Sequence, residues 1–156
     1  MQTVATDELR TSELRDLLSE LVTSTSRFTR LAASVSPTDH PRTWSRALSL
    51  LDEYGAIRVS EFARLDRCSQ PSATALLRTL GDNGLVTRTS DPTDSRAVVV
   101  AISESGRTWL AESRRAIGDG LLQHLHRPDP AQLRRIVEGL DDLRSVLKNT
   151  AREEQS

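Results

Sequence analysis

SEFARLDRCSQPSATALLRTLGDNGLVTRTSDPTDSRAVVVAIS, residues 60–103, reads as helix, turn, helix and then a two-stranded ribbon. The first helix starts at Ser60 and runs through Leu65, with Arg67 and Cys68 in the turn. Ser69 suits an N-cap, because its hydroxyl can accept a bond from an orphan N–H of the first turn. Pro71 falls in that same turn, where a missing N–H costs little. Ala73, Leu76, Leu77 and Leu80 recur at helical spacing and make one apolar stripe. The opposite face holds Gln70, Pro71, Ser72, Thr74, Ala75 and Arg78, with no carboxylate before Asp82. A polar, acid-free face at a helix N-terminus is what entry into a DNA groove requires. Gly84 ends the helix. Leu85 to Arg88 form one ribbon arm and Ala97 to Ile102 the other, with Val98, Val100 and Ile102 on one face. The tip between them, Asp91-Pro92-Thr93-Asp94-Ser95-Arg96, is built of turn formers. A helix-turn-helix followed by such a hairpin is a winged helix. The expected fold class is therefore mainly α with a small β wing.

At these residues the chain resembles the multiple-antibiotic-resistance regulator (MarR) family. The matching run is Val59 to Ala63, Ser69 to Leu80, Asn83-Gly84-Leu85-Val86-Thr87-Arg88, Asp91 to Val100 and Ile102 to Gly106. The wing pattern Asp-Pro-x-Asp-x-Arg beside Gly-Leu-Val is its specific part; a lone helix-turn-helix pattern would be weak. The resemblance implies a homodimer joined through N- and C-terminal helices, with two winged lobes on double-stranded DNA. It also implies a repressor released by a small, often aromatic or phenolic, effector. The sequence departs from the family at Ala75, where arginine is frequent, and at Ser72 and Ala73, where threonine and valine are common. Base reading then rests more on Gln70, Arg78 and DNA shape.

Along the chain, Leu14, Leu17, Leu18, Leu21, Val22, Phe28 and Leu31 repeat at helical spacing after a loose end of about seven residues. The run Ser36-Pro37-Thr38-Asp39-His40-Pro41 breaks that helix. A second helix starts near Arg42, carries Trp44, Ala47, Leu48 and Leu51, and stops at Gly55. Ile57 and Val59 form a short apolar lead that suits a third strand. Beyond the wing, Ser103 caps a helix with Trp109, Leu110, Ile117 and Leu121, and Pro128-Asp129-Pro130 interrupts it. Asp129, Pro130 and Gln132 read as N-cap, first-turn proline and capping partner of a last helix bearing Leu133, Ile136, Leu140, Leu143 and Leu147. This organisation predicts a winged helix over 42–103 and a dimerisation region from 8–35 and 104–150. A winged helix needs only its own small core, so the extra apolar stripes must be buried elsewhere. A two-fold dimer buries them.

The 156 residues carry a formal net charge of −1, which argues against nonspecific coating of nucleic acid but leaves room for a local basic face. The lone Cys68 excludes an intramolecular disulfide and fits a reducing cytosol. No apolar run approaches a membrane span, and residues 1–10 lack a signal-peptide pattern, so a cytoplasmic protein is expected.

The DNA-contact candidates are Ser69, Gln70, Ser72, Thr74 and Arg78 on the recognition helix, with Arg88, Asp94 and Arg96 on the wing. Glutamine can bond adenine, arginine can bond guanine or phosphate, and serine and threonine serve either. The resemblance puts Arg96 in the minor groove, where narrow A·T-rich stretches attract arginine. Asp94, two residues earlier, is expected to pair with it; Arg88 at the wing base suits phosphate. Cys68 before a helix N-terminus invites a redox reading, but a small packing residue is the simpler one. The resemblance suggests Arg27, Arg30, His40 and Trp44 for an effector pocket, against the plainer reading of Trp44 as core. His124 and His126 stand two apart on an expected helix and so face different ways, and His40 stands alone. No metal, cofactor or enzymatic activity is expected, since neither a ligand cluster nor a catalytic constellation appears. The rival class is a winged-helix module that binds protein and not DNA; an acidic recognition face would have supported it.

Overall fold

A computed structural model describes residues 2–35 and 41–153, with side chains over 10–35 and 41–149. His40 and the break at 36–40 lie outside the described residues. The elements, in order, are α1 (Gln2–Ser34), α2 (Arg42–Tyr54), β1 (Ile57–Arg58), α3 (Val59–Leu65), α4 (Gln70–Asp82), β2 (Val86–Ser90), β3 (Val98–Ile102), α5 (Glu104–His124) and α6 (Pro130–Glu153). The three strands form one antiparallel sheet in the order β1-β3-β2, with Ile57 opposite Val100 and Val86 opposite Ile102. The chain divides into two compact units, Met1–Leu121 and Leu122–Ser156.

The core of the first unit collects the apolar stripe of each short element. Ala47, Leu48 and Leu51 come from α2, Phe62 and Ala63 from α3, and Ala73, Leu77 and Leu80 from α4. Leu85, Val86, Val100, Ile102 and Leu110 close it, and Leu76 and Trp109 pack at its edge. Each large side chain buried there contributes about 1.5–3 kcal/mol relative to exposure. This is enough to fix α4 with its opposite face outward.

The punctuation is local chemistry. Ser69 is the N-cap of α4, its Oγ accepting the Ser72 N–H at 3.3 Å, and Pro71 sits in the first turn. At the other end Gly84 adopts φ 71°, and the Leu85 N–H reaches back to the Leu80 carbonyl at 2.9 Å. This left-handed closure is cheap only for glycine. The same closure ends α3, where the Cys68 N–H reaches the Ala63 carbonyl at 3.0 Å, but there Arg67 takes φ 52°. Ser103 caps α5 by accepting the Gly106 N–H at 2.9 Å, and its hydroxyl donates to the Gly84 carbonyl at 2.6 Å. One serine thus joins the end of α4 to the start of α5.

Gly106 is a close approach. A Cβ there would collide with the Leu85 carbonyl oxygen and crowd Ile102. Helix propensity alone favours alanine over glycine by up to about 1 kcal/mol. Overpacking against backbone costs about 1–3 kcal/mol, so the steric term wins. Gly106→Ala is expected to lower the thermal midpoint by several degrees, at about 2–4 °C per kcal/mol for a chain of this size. An unchanged or raised midpoint in calorimetry would refute the close packing.

Several boundaries differ from the sequence reading. Helix α1 begins at Gln2, ahead of the expected loose end. The first wing arm is Val86–Ser90, because Leu85 is spent on closing α4 and turning into the core. Val59 opens α3 and does not extend β1. His126 is not helical, since α5 stops at His124 and Arg127 takes φ 53°. The two histidines therefore do not share a helix, and helical spacing does not relate them. Asp129 does cap α6, its Oδ1 accepting the Ala131 N–H at 2.9 Å.

The long helices carry apolar faces without cover. Leu14, Leu17, Leu18, Val22, Phe28 and Leu31 on α1 are exposed, as are Leu133, Ile136, Leu140, Leu143 and Leu147 on α6. On α6 these last five recur at alternating spacings of three and four, the pattern of a helix–helix seam. Among the described residues, no helix is long and apolar enough to cross a membrane.

Candidate nucleic-acid interface

Helix α4 buries Ala73, Leu77 and Leu80 and so exposes Gln70, Pro71, Ser72, Thr74, Ala75, Arg78 and Thr79. The first acid on this helix is Asp82, in its last turn. Many of its hydroxyls are already engaged within the helix. Thr74 Oγ1 donates to the Gln70 carbonyl at 2.9 Å, and Thr79 Oγ1 to the Ala75 carbonyl at 3.1 Å. The Ser69 and Ser72 hydroxyls lie 2.8 Å apart. Gln70 and Arg78 are left as the long polar groups of this face.

Between α4 and the wing runs a cleft of about 290 Å³, walled by Gln70 and Thr74 on one side and Arg58, Arg88, Asp94 and Arg96 on the other. The sequence reading chose five of these six residues separately, and the fold brings them together. Among the described residues, no carboxylate pairs with the guanidinium of Arg78, Arg88 or Arg96. Three arginines without acidic partners beside an acid-free helix face form a surface suited to phosphate and base edges.

The wing tip is built differently from the expectation. Asp94 does not form an ion pair with Arg96; its Oδ1 accepts the Arg96 backbone N–H at 3.1 Å. The two-residue separation puts the carboxylate over the turn's own N–H groups, as short acidic side chains in turns commonly do. The ion pair at the tip joins Asp91 to Arg58, at 2.7 Å from Nε to Oδ2. Arg58 Nη2 also donates to Thr93 Oγ1 at 3.2 Å. Asp91 Oδ1 accepts from the Thr93 N–H at 2.7 Å, the Thr93 hydroxyl at 2.6 Å and the Asp94 N–H at 3.2 Å. The Arg58 guanidinium and then the Thr93 donors hold the Asp91 carboxyl well below the usual carboxylate range. The pair therefore stays charged throughout the physiological pH range and would weaken only as pH falls towards that depressed value.

Behind the interface, Arg46 on α2 clamps Asp66 at the end of α3 through Nε and Nη2, at 2.8 and 2.9 Å. Asp52 joins α2 to α5 through Arg107 at 2.8 Å and Arg114 at 3.4 Å. Burial pushes the Cys68 thiol up, and a bond with Asp66 adds to the shift. A thiol held protonated in this way is a packing residue and a poor target for oxidants. Of the expected effector residues, Arg27 and Arg30 are exposed on α1, and Trp44 is half-buried with its ring 6.0 Å from that of Trp109.

The sequence pattern of the MarR family matches residues 42–98, from the start of α2 to the first residue of β3. Over these residues the chain is similar to the MarR family. Among its relatives, the HTH-type transcriptional regulator ML2140 of Mycobacterium leprae is 31% identical over 105 residues, 67% of this chain and 66% of that one. The regulator Mb0904 of Mycobacterium bovis is 37% identical over 79 residues, 51% of this chain and 55% of that protein. The match thus spans just under two thirds of the first relative and about half of the second. Wild-type MarR from E. coli in its apo form superposes with a TM-score of 0.61 at 22% identity, over 79% of this chain and 95% of that one. RV1404 from Mycobacterium tuberculosis gives 0.62 at 19% identity, over 84% and 92%. These two likenesses concern the fold. The family match falls on the winged helix, where the cleft and its arginines lie, and both of these mycobacterial relatives are named as HTH-type transcriptional regulators.

Proposed function

We propose that this chain is a MarR-family regulator of transcription that binds DNA sequence-specifically and acts as a homodimer on a palindromic operator. The observation that carries this is the exposed, acid-free face of α4, which bears Arg78, beside a cleft that holds Arg88 and Arg96, none of the three with an acidic partner among the described residues. Residues 42–103 would form the DNA-binding domain, and 8–35 with 104–150 the dimerisation region. Helix α4 enters a major groove, with Gln70 and Arg78 as the base readers. Ser69, Ser72 and Thr74 have hydroxyls tied to their own helix and approach the phosphates. Pro71 and Ala75 are small, exposed and apolar, which suits thymine methyl groups. The wing tip carries Arg96 towards the adjacent minor groove, and Arg88 meets the backbone between them.

Dimerisation is supported by the uncovered apolar stripes of α1 and α6, which are too extensive for a soluble monomer's surface. Repression, and release by an aromatic or phenolic effector near Arg27, Arg30, His40 and Trp44, rest on the family likeness alone.

Selection of duplexes from a random pool by the purified full chain tests the reading. An imperfect palindrome is expected, with half-site centres about one helical turn, ~10 base pairs, apart. Enrichment of no sequence at all, or of a single asymmetric half-site, would overturn it. In the first case the exposed cleft would have to serve a protein partner instead.

A further inference from the structure

Arg58 was not among the residues that the sequence singled out, yet it makes the one ion pair of the wing among the described residues. It stands on β1, the strand on the far side of β3 from β2, and its register partner is Val99. From there its guanidinium reaches across to the loop that joins β2 to β3. The contact is two-pronged: Nε meets Asp91 and Nη2 meets Thr93. Asp91 is the pivot of the tip. Its side chain is only 9% exposed, and its other oxygen gathers the Thr93 and Asp94 donors. Its backbone N–H bonds the Ala97 carbonyl at 2.9 Å, the last rung before the turn. Arg96 lies inside the loop so closed. A two-stranded ribbon by itself is marginally stable and free to sway. A fork from a third strand removes that freedom before DNA arrives, so less ordering entropy is lost on binding.

We propose that Arg58 and Asp91 form a latch that presets the wing tip for DNA, each acting as a positioning residue for Arg96. This rests on the DNA-binding reading above. The latch makes a prediction opposite to simple electrostatics. Asp91 is an acid on a surface that would face phosphates, so charge alone says that removing it should tighten binding. The latch says that removing it loosens the tip and weakens binding.

The experiment uses the full chain and a duplex of about 30 base pairs enriched by selection, long enough for two half-sites. Asp91→Asn keeps an acceptor for Thr93 and Asp94 but releases Arg58. It is expected to weaken duplex binding about five- to tenfold, the coupling typical of a pair in one network. Arg58→Lys keeps the positive charge but loses the fork, and should lose about as much as Arg58→Gln. The double variant Arg58→Gln/Asp91→Asn should be no worse than either single change. Amide exchange of residues 93–97 in the free protein should quicken in each variant, while exchange in α2 and α4 stays at the wild-type rate. That second readout needs no DNA and also shows that the variants fold.

Asp91→Asn binding as well as wild type or better would overturn the proposal, as would a near-wild-type Arg58→Lys. In the latter case Arg58 would simply offer charge to a phosphate. Unchanged exchange at the tip would overturn it independently. A wild-type chain that binds no duplex would instead remove the DNA-binding reading.

Discussion

Leu140→Asp is expected to leave the protein monomeric at micromolar concentration and unable to hold a duplex with two half-sites. Leu140 is the middle residue of the α6 seam of four leucines and one isoleucine, and at 38% it is the least exposed of them. In a two-fold interface each residue occurs twice, so one substitution introduces two carboxylates into the same apolar seam. Burying even one unpaired carboxylate costs several kcal/mol unless it takes up a proton. Each 1.4 kcal/mol is a factor of ten, so the dimer should weaken at least about a hundredfold. DNA binding should fall with it, because a monomer meets one half-site and loses the advantage of the second. Glu138→Gln, about half a turn away on the opposite face of α6, should leave assembly unchanged. Sedimentation velocity of both variants decides the matter. A Leu140→Asp chain that sediments as a dimer would show that this seam is not the interface.

What the sequence made legible is what neighbouring residues decide among themselves. Ser69 with Pro71, Gly84 after the leucine stripe, Ser103 before α5 and Asp129 before α6 are caps whose partners lie within a turn, and the structure has each of them. The alternation of Val98, Val100 and Ile102 likewise carried the inner face of β3. Contacts between distant segments were not legible. Arg58 and Asp91 are 33 positions apart and meet only because β1 pairs with β3. Nothing local marks Arg58 out from any exposed arginine. Arg46 and Asp66 meet in the same way across α2 and α3. The need for glycine at 106 comes from the Leu85 carbonyl packed beneath it, a contact that no local pattern marks. Asp94 shows the reverse error: proximity in sequence suggested an ion pair with Arg96, but the geometry of a tight turn favours the backbone N–H.

That geometry sharpens what should happen when two of the interface arginines, Arg78 and Arg96, are removed. Arg78→Ala is expected to cost about 1–3 kcal/mol per half-site if Arg78 reads a base. A dimer carries the substitution twice, so roughly twice that should appear on a full operator, and preference should relax at one position in each half-site. On scrambled duplex the loss should be small. Arg96→Ala should behave differently. The minor groove reports mainly width and A·T content, so losing Arg96 should weaken operator and scrambled duplex alike. It should also flatten the plot of log affinity against log salt, by about one unit for each phosphate charge no longer neutralised. Asp94→Ala should act in the same direction but more weakly. It leaves the guanidinium in place and removes only the bond to the Arg96 N–H, so it blurs the direction of the arginine without deleting it. Salt titrations of the three variants against both duplexes separate these cases, with circular dichroism as the check on folding. If Arg96→Ala keeps the wild-type affinity and slope, the tip does not touch DNA. The bonds of Asp91 and Asp94 would then only hold the turn together, and recognition would fall to α4 and Arg88. If Arg78→Ala instead lowers operator and scrambled affinity equally, Arg78 contacts phosphate, and Gln70 with the small face of Pro71 and Ala75 would have to carry the sequence preference.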